Sequence, residues 1–179
     1  MKNSNGGHAL VTPEPFAASA PRCAEKGDGV RGDRPVKRIL VPVDFSECSL
    51  KALEYASGFA GQLGARMTVL HVVEPALHAG GYPAISPAFD PISQNLLEDG
   101  RDRLSEIGQK HIGHREGSDF LVRMGRAPSE ILDTAKALGV DMIVLGTHGH
   151  SGLKHVLLGS TAERVLRQAA CPVVTVRCG

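Results

Sequence analysis

Asp141-Met142-Ile143-Val144-Leu145-Gly146-Thr147-His148-Gly149 and, after nine intervening residues, Gly159-Ser160-Thr161-Ala162-Glu163-Arg164-Val165-Leu166-Arg167-Gln168 decide the fold. A short apolar run reads as a buried strand, and the segment from Ser160 reads as a helix. Strand, glycine loop and helix in that order form the repeating unit of a parallel α/β sheet. Glycines at a strand end let backbone amides approach a ligand closely, because no Cβ stands between them. Ser160 and Thr161 open a helix whose first N–H groups have no internal partner. Amides, hydroxyls and the positive end of the helix dipole then converge into an anion seat, and a phosphate chain is the expected anion.

The flanking sequence repeats the alternation. Lys37-Arg38-Ile39-Leu40-Val41-Pro42-Val43-Asp44 reads as a buried strand ending in a carboxylate. Ser46 is placed to cap the next helix, along which Leu50, Leu53, Ala56, Ala60 and Leu63 recur at helical spacing until Gly64 stops it. Arg66–Val73 is a second strand, residues 93–112 a helix with Leu96, Leu97, Leu104 and Ile107 on one side, and Asp119–Arg123 a third strand. Residues 128–138 form a helix with Pro128 in its first turn and Ile131, Leu132 and Ala135 inward. Pro172–Arg177 is a fifth strand. Residues 74–92, rich in Pro, Gly and Ala, form a long connection whose role the residues do not decide. Strands alternating with helices, without an internal repeat, predict one doubly wound five-stranded parallel sheet flanked by helices. Residues 1–35 show no apolar period and are expected to be a disordered extension before a domain spanning 36–178.

The pattern Gly-x2-Gly-x9-Gly-Ser/Thr at Gly146, Gly149, Gly159 and Ser160 resembles the nucleotide-binding signature of the universal stress protein family, and the resemblance covers about residues 36–178. It implies a sheet of flavodoxin-like, or adenine nucleotide alpha-hydrolase-like, order. It also implies ATP as ligand, with Mg2+ as a companion. Ligands of such sheets sit beyond the carboxyl ends of strands. Three ends are therefore expected to meet: Pro42-Val43-Asp44, His71-Val72-Val73 and Leu145-Gly146. Asp44 matches the family's nucleotide-contacting aspartate and is assigned to ribose hydroxyls, with a helix cap as its alternative. Val72 matches a position whose backbone contacts adenine. Gly146, His148 and Gly149 shape or line the first half of the phosphate loop. Gly159, Ser160 and Thr161 supply amides and hydroxyls to phosphates.

Other features narrow the function. The chain carries 20 basic and 19 acidic residues, a net charge of +1, with no polybasic block, so no field draws nucleic acid to it. No apolar run approaches the roughly 20 residues of a membrane span. Cys23, Cys48, Cys171 and Cys178 contain no C-x-x-C pair and are expected to be reduced thiols of a cytoplasmic protein. Cys171 and Cys178 flank the last strand, which at about 3.3 Å per residue holds them too far apart to pair. A zinc site from His148, His150 and His155 is conceivable, but no thiol or acidic ligand lies beside them in sequence, and no metal is assigned. His111-Ile112-Gly113-His114 spells the ATP motif of class I aminoacyl-tRNA synthetases, yet it follows a helix rather than the first strand and reads as a coincidence. No Walker A sequence, nucleophile elbow or two-metal acidic cluster accompanies the loop. The expectation is a cytoplasmic nucleotide-sensing module of the stress response. A slow ATPase or related nucleotide-transforming enzyme is the alternative, and an empty scaffold a third reading. An apolar final strand, Val173, Val174 and Val176, at a sheet edge predicts a homodimer through that strand, as in many members of the family.

Overall fold

The structure, a computed structural model, describes residues 35–74, 91–113, 117–148 and 158–178. The described chain runs β1 (Arg38–Val43), α1 (Glu47–Leu63), β2 (Arg66–Val73), α2 (Pro91–His111), β3 (Ser118–Met124), α3 (Ala127–Leu138), β4 (Met142–Gly146), α4 (Ser160–Gln168) and β5 (Val173–Val176). All four pairings are parallel and the strand order is β3-β2-β1-β4-β5. The doubly wound sheet is as expected. Its order matches the first five positions of the dinucleotide-binding order 3-2-1-4-5-6, not the flavodoxin order 2-1-3-4-5. The order reverses between β1 and β4, the switch point at which such sheets open a crevice.

Each strand feeds two cores because alternate side chains leave opposite faces. Ile39, Val41 and Val43 meet Met67, Val69 and Val144 under α1 and α2, where Ala52, Leu53, Ala56, Ala60 and Leu104 close the layer. Leu40, Leu70, Ile143 and Leu145 face α3 and α4, against Ile131, Ala135, Ala162 and Val165. Burying one such Leu or Ile contributes about 1.5–3 kcal/mol.

Local signals set the helix ends. Ser46 is the N-cap of α1 and accepts a hydrogen bond from the Ser49 amide at 3.3 Å. Gly64 ends the helix in a left-handed conformation, φ 62°, which glycine adopts without a Cβ penalty. Two expected core positions are corrected: Leu63 is 45% and Leu96 40% exposed. Leu96 points outward because α2 packs through small residues. Ser93, Gly100, Leu104 and Gly108 are its buried positions. A Cβ at Gly100 would stand 3.2 Å from the His71 ring, and one at Gly108 would overlap the Phe120 ring. The Phe120 ring thus packs on α2 at Gly108, and Leu104, one turn away, is the leucine of α2 that is fully buried.

Pro42 shapes the switch point. Lys37 O accepts from the Arg66 amide on the β2 side, whereas Arg38 O accepts from the Asp141 amide on the β4 side. In a parallel strand both backbone groups of a residue point to one side and successive residues alternate, so Pro42, like Arg38, faces β4. Proline has no N–H to continue that ladder. Pairing of β1 with β4 ends at Leu40 and Ile143, while pairing with β2 continues to Val43 and His71.

Candidate functional site

Where β1 and β4 part, their carboxyl ends open into a cavity of about 200 Å3. Pro42, Val43 and Asp44 from the end of β1, Val72 from β2, and Leu145, Gly146 and His148 from the end of β4 all line it. Gly159, Ser160 and Thr161, entering α4, complete the far side. Ten of the eleven expected site residues thus surround one space; Gly149, the eleventh, lies outside the described residues. His150, Lys154, His155, most of 74–92 and the extension through residue 34 also lie outside them.

The loop between β4 and α4 is held at both ends. The Thr147 amide donates to Val176 O at 2.9 Å, and the Gly159 amide donates to Thr147 O at 2.7 Å. Gly159 has an ordinary φ of −67°, so its need for glycine is spatial: a Cβ there would lie 3.2 Å from Thr147 O. Gly146 is more constrained. A Cβ on it would stand 2.9 Å from the carbonyl carbon and oxygen of Cys48, against the backbone of α1. Among the described residues α4 has no side-chain cap, and Ser160, Thr161 and Ala162 of its first turn line the cavity. Uncapped first-turn amides and the helix dipole favour an anion there.

Asp44 does two things at once. Its Oδ1 accepts from the Ser46 amide at 3.0 Å and from the Ser46 hydroxyl at 2.5 Å, fixing the turn into α1, while the residue lines the cavity. The helix cap itself is Ser46, so the capping role considered for Asp44 passes to its neighbour. Between them Phe45 takes φ 65°, a left-handed conformation that costs a non-glycine residue on the order of 1–3 kcal/mol. Its ring is held between the His71 ring, 4.3 Å away, and the Arg103 guanidinium, 4.2 Å away. His71 Nδ1 lies 2.9 Å from Val43 O. Burial is the main cause that pushes the His71 pKa below its ordinary value; the Val43 carbonyl opposes the shift.

The cavity has a polar lip and an apolar wall. Leu70, Ala127 and Ile131 join Val72 and Leu145 on the wall. Ser49, Leu70, Ala127, Ile131, Thr147 and Ala162 were not expected at the site. The signal for Ala127 was available: it opens the helix after β3, a strand end that the sequence reading did not bring to the crevice. Its amide donates to Glu74 Oε1 at 2.8 Å. His111, from the synthetase-like motif, pairs with Glu54 at 2.7 Å and does not line the cavity.

The cysteines require a correction. Cys48, in the first turn of α1, and Cys178, after β5, are joined in a disulfide with a Cα–Cα distance of 5.2 Å. The expectation of reduced thiols fails for this pair because the fold brings together cysteines 130 positions apart. Cys171 takes no part in the bridge, in keeping with its place at the other end of β5.

A five-stranded doubly wound domain with a glycine-bounded crevice at its switch point is an α/β module of the kind in which ligand sites open at that point. The chain belongs to the universal stress protein family, whose sequence profile matches residues 35–177. Universal stress protein MJ0531 of Methanocaldococcus jannaschii is 34% identical over 148 residues, covering 82% of this chain and 85% of its own. The solved structure of MJ0577, from the same organism, matches with a TM-score of 0.69 at 27% identity, covering 82% of this chain and 99% of its own. The universal stress protein from Archaeoglobus fulgidus in complex with dAMP matches with a TM-score of 0.53, covering 80% of this chain and 99% of its own. At 22% identity that last likeness is one of fold. Among the described residues no helix is long and apolar enough to cross a membrane.

Proposed function

We propose that this chain is a nucleotide-binding regulatory module of the cytoplasm that takes ATP, with Mg2+, in the crevice between β1 and β4. The observation that carries the reading is the convergence of a carboxylate, an apolar wall and an uncapped helix N-terminus on one cavity. Each part suits one part of a nucleotide. The Asp44 carboxylate is an acceptor for ribose hydroxyls. The Val72 backbone and the apolar wall suit a base. Ser160, Thr161 and the first amides of α4 suit phosphates, with Gly146 and Gly149 shaping the loop and His148 at its edge. Pro42, Val43 and Leu145 are walls, not donors.

Binding shifts a dimer or partner equilibrium only as far as it favours one state over the other. The dimer is assigned to Val173, Val174 and Val176, because β5 is last in the strand order of the described sheet and an edge strand can pair with a second copy. Light scattering after size exclusion is expected to give twice the chain mass; a monomer at micromolar concentration removes that assignment. Calorimetric titration with ATP, with and without Mg2+, is expected to show saturable micromolar binding at about one site per chain. Gly159→Val is expected to weaken it by about tenfold or more, since its side chain enters the lip while its backbone angles suit valine. A folded Gly159→Val protein that binds as well as the parent overturns the phosphate assignment, and no heat from the parent overturns the nucleotide reading. Steady ATP turnover abolished by Asp44→Ala in a folded protein favours the slow ATPase instead.

A further inference from the structure

The fold gathers three metal-ligating side chains that the sequence scatters. Cys48, His148 and Cys178 each offer one ligand atom, and these atoms all lie within 4.8 Å of one another. Cys48 is buried, and the other two are half-buried. They arrive from three places: the first turn of α1, the loop leaving β4 and the segment after β5. The thiol ligands that His148 lacked in sequence stand beside it in space. Its ring is also oriented, with Nδ1 2.9 Å from Thr147 Oγ1. The same hydroxyl lies 3.8 Å from Cys48 Sγ. One hydroxyl thus touches both the ring and a sulfur, an outer contact of the kind that orients a ligating histidine.

We propose that Cys48, His148 and Cys178 are a redox-gated binding site for a thiophilic divalent ion of the zinc class, with the disulfide and the metal as alternative states of the same residues. Two thiolates and an imidazole match the Cys2His set of zinc sites that keep a fourth position open. In the disulfide the two sulfurs are bonded to each other, and neither is a thiolate. Conversion is balanced by thiol–disulfide exchange: the bridge and two thiols of a cellular reductant give two cysteine thiols and the reductant's disulfide. Metal binding then releases the two thiol protons. The sulfurs must part to about 3.8 Å, the edge of a tetrahedron with Zn–S bonds of about 2.3 Å. Cys178 can supply that movement, since it lies beyond the β4–β5 ladder, which ends at Gly146 and Val176. In a reducing cytoplasm a disulfide is usually transient or redox-sensing. His148 also lines the cavity, so the state of the pair reaches the cavity wall. None of this requires a bound nucleotide.

The test uses full-length protein carrying Cys23→Ser and Cys171→Ser, so that only the two proposed thiols remain, and cobalt(II) as the probe. After reduction with a phosphine and its removal, cobalt is expected to give thiolate-to-metal absorption saturating at one ion per chain, which zinc displaces. The oxidised protein is expected to give none. Cys48→Ser or Cys178→Ser is expected to abolish the band, and His148→Ala to weaken cobalt binding by about tenfold or more. No band in the reduced parent overturns the proposal, as does a band that survives Cys48→Ser or an unchanged affinity in His148→Ala. Far-ultraviolet circular dichroism covers the case in which reduction unfolds the chain: helix signal restored by zinc supports the site, and failure to restore it overturns the site. The titration contains no nucleotide, so its failure leaves the ATP reading standing.

Discussion

The two ends of the sheet are built on opposite terms. At the amino end, charged groups tie loops to strands. Asp141 Oδ2 accepts from the amides of Lys37 and Arg38, both at 2.9 Å, and Arg38 Nη1 donates to Leu138 O at 2.7 Å. At the carboxyl end a proline stops a ladder, a phenylalanine sits in a left-handed turn, and a helix begins without a side-chain cap. The same strands thus finish in a sealed edge on one side and a held-open one on the other. Backbone strain at Phe45 is a cost that a purely structural edge does not need.

Substitutions at the two ends should therefore separate stability from ligand binding. The largest effect is expected from Gly146→Ala, whose Cβ would meet the backbone of Cys48 and Ser49. Overpacking of this kind costs about 1–3 kcal/mol. Urea unfolding should show that loss, and calorimetry should show weakened ATP binding. A stable variant with normal binding would break the contrast. Asp141→Ala, at the sealed end, is expected to cost about 1–2 kcal/mol through two lost hydrogen bonds to a carboxylate, one of them part-buried, and to leave ATP affinity unchanged. A fall in affinity with stability intact would place the ends in communication.

The smallest effect is a pH dependence at His71, beneath the open end. Folding lowers its pKa, chiefly through burial. The unfolded chain therefore holds the proton more tightly, and stability rises with pH across the interval between the two values. The contribution is complete above the unfolded value of about 6.5 and is lost as pH falls through the lowered folded value. Urea midpoints at several pH values should fall less steeply on acidification in His71→Gln than in the parent. Equal slopes would remove His71 as a source.

Much of this was legible because the deciding signals are local. Strand β1 announces itself in Ile39–Val43, the start of α1 in Ser46 and its end in Gly64. The β4 loop was readable from glycine spacing, since close backbone approach at Gly146 and Gly159 admits little else. What sequence reading missed depends on partners far along the chain. Apolar periodicity places Leu96 in the core, but the buried face of α2 runs through Ser93, Gly100, Leu104 and Gly108, and Leu96 lies off it. No spacing rule joins Cys48 to Cys178, because their meeting depends on β5 lying beside β4 with α1 across it. Nor does the sequence say that Pro42 faces β4 and not β2; that follows from the register.

The bridge also fixes an order of events. Cys178 is synthesised 130 residues after Cys48, later than every strand of the sheet. In the folded chain it reaches its partner because β5 docks on β4 and both lie against α1. A ribosome-bound chain that lacks β5 also lacks Cys178, so this bridge cannot form before the last strand has been made.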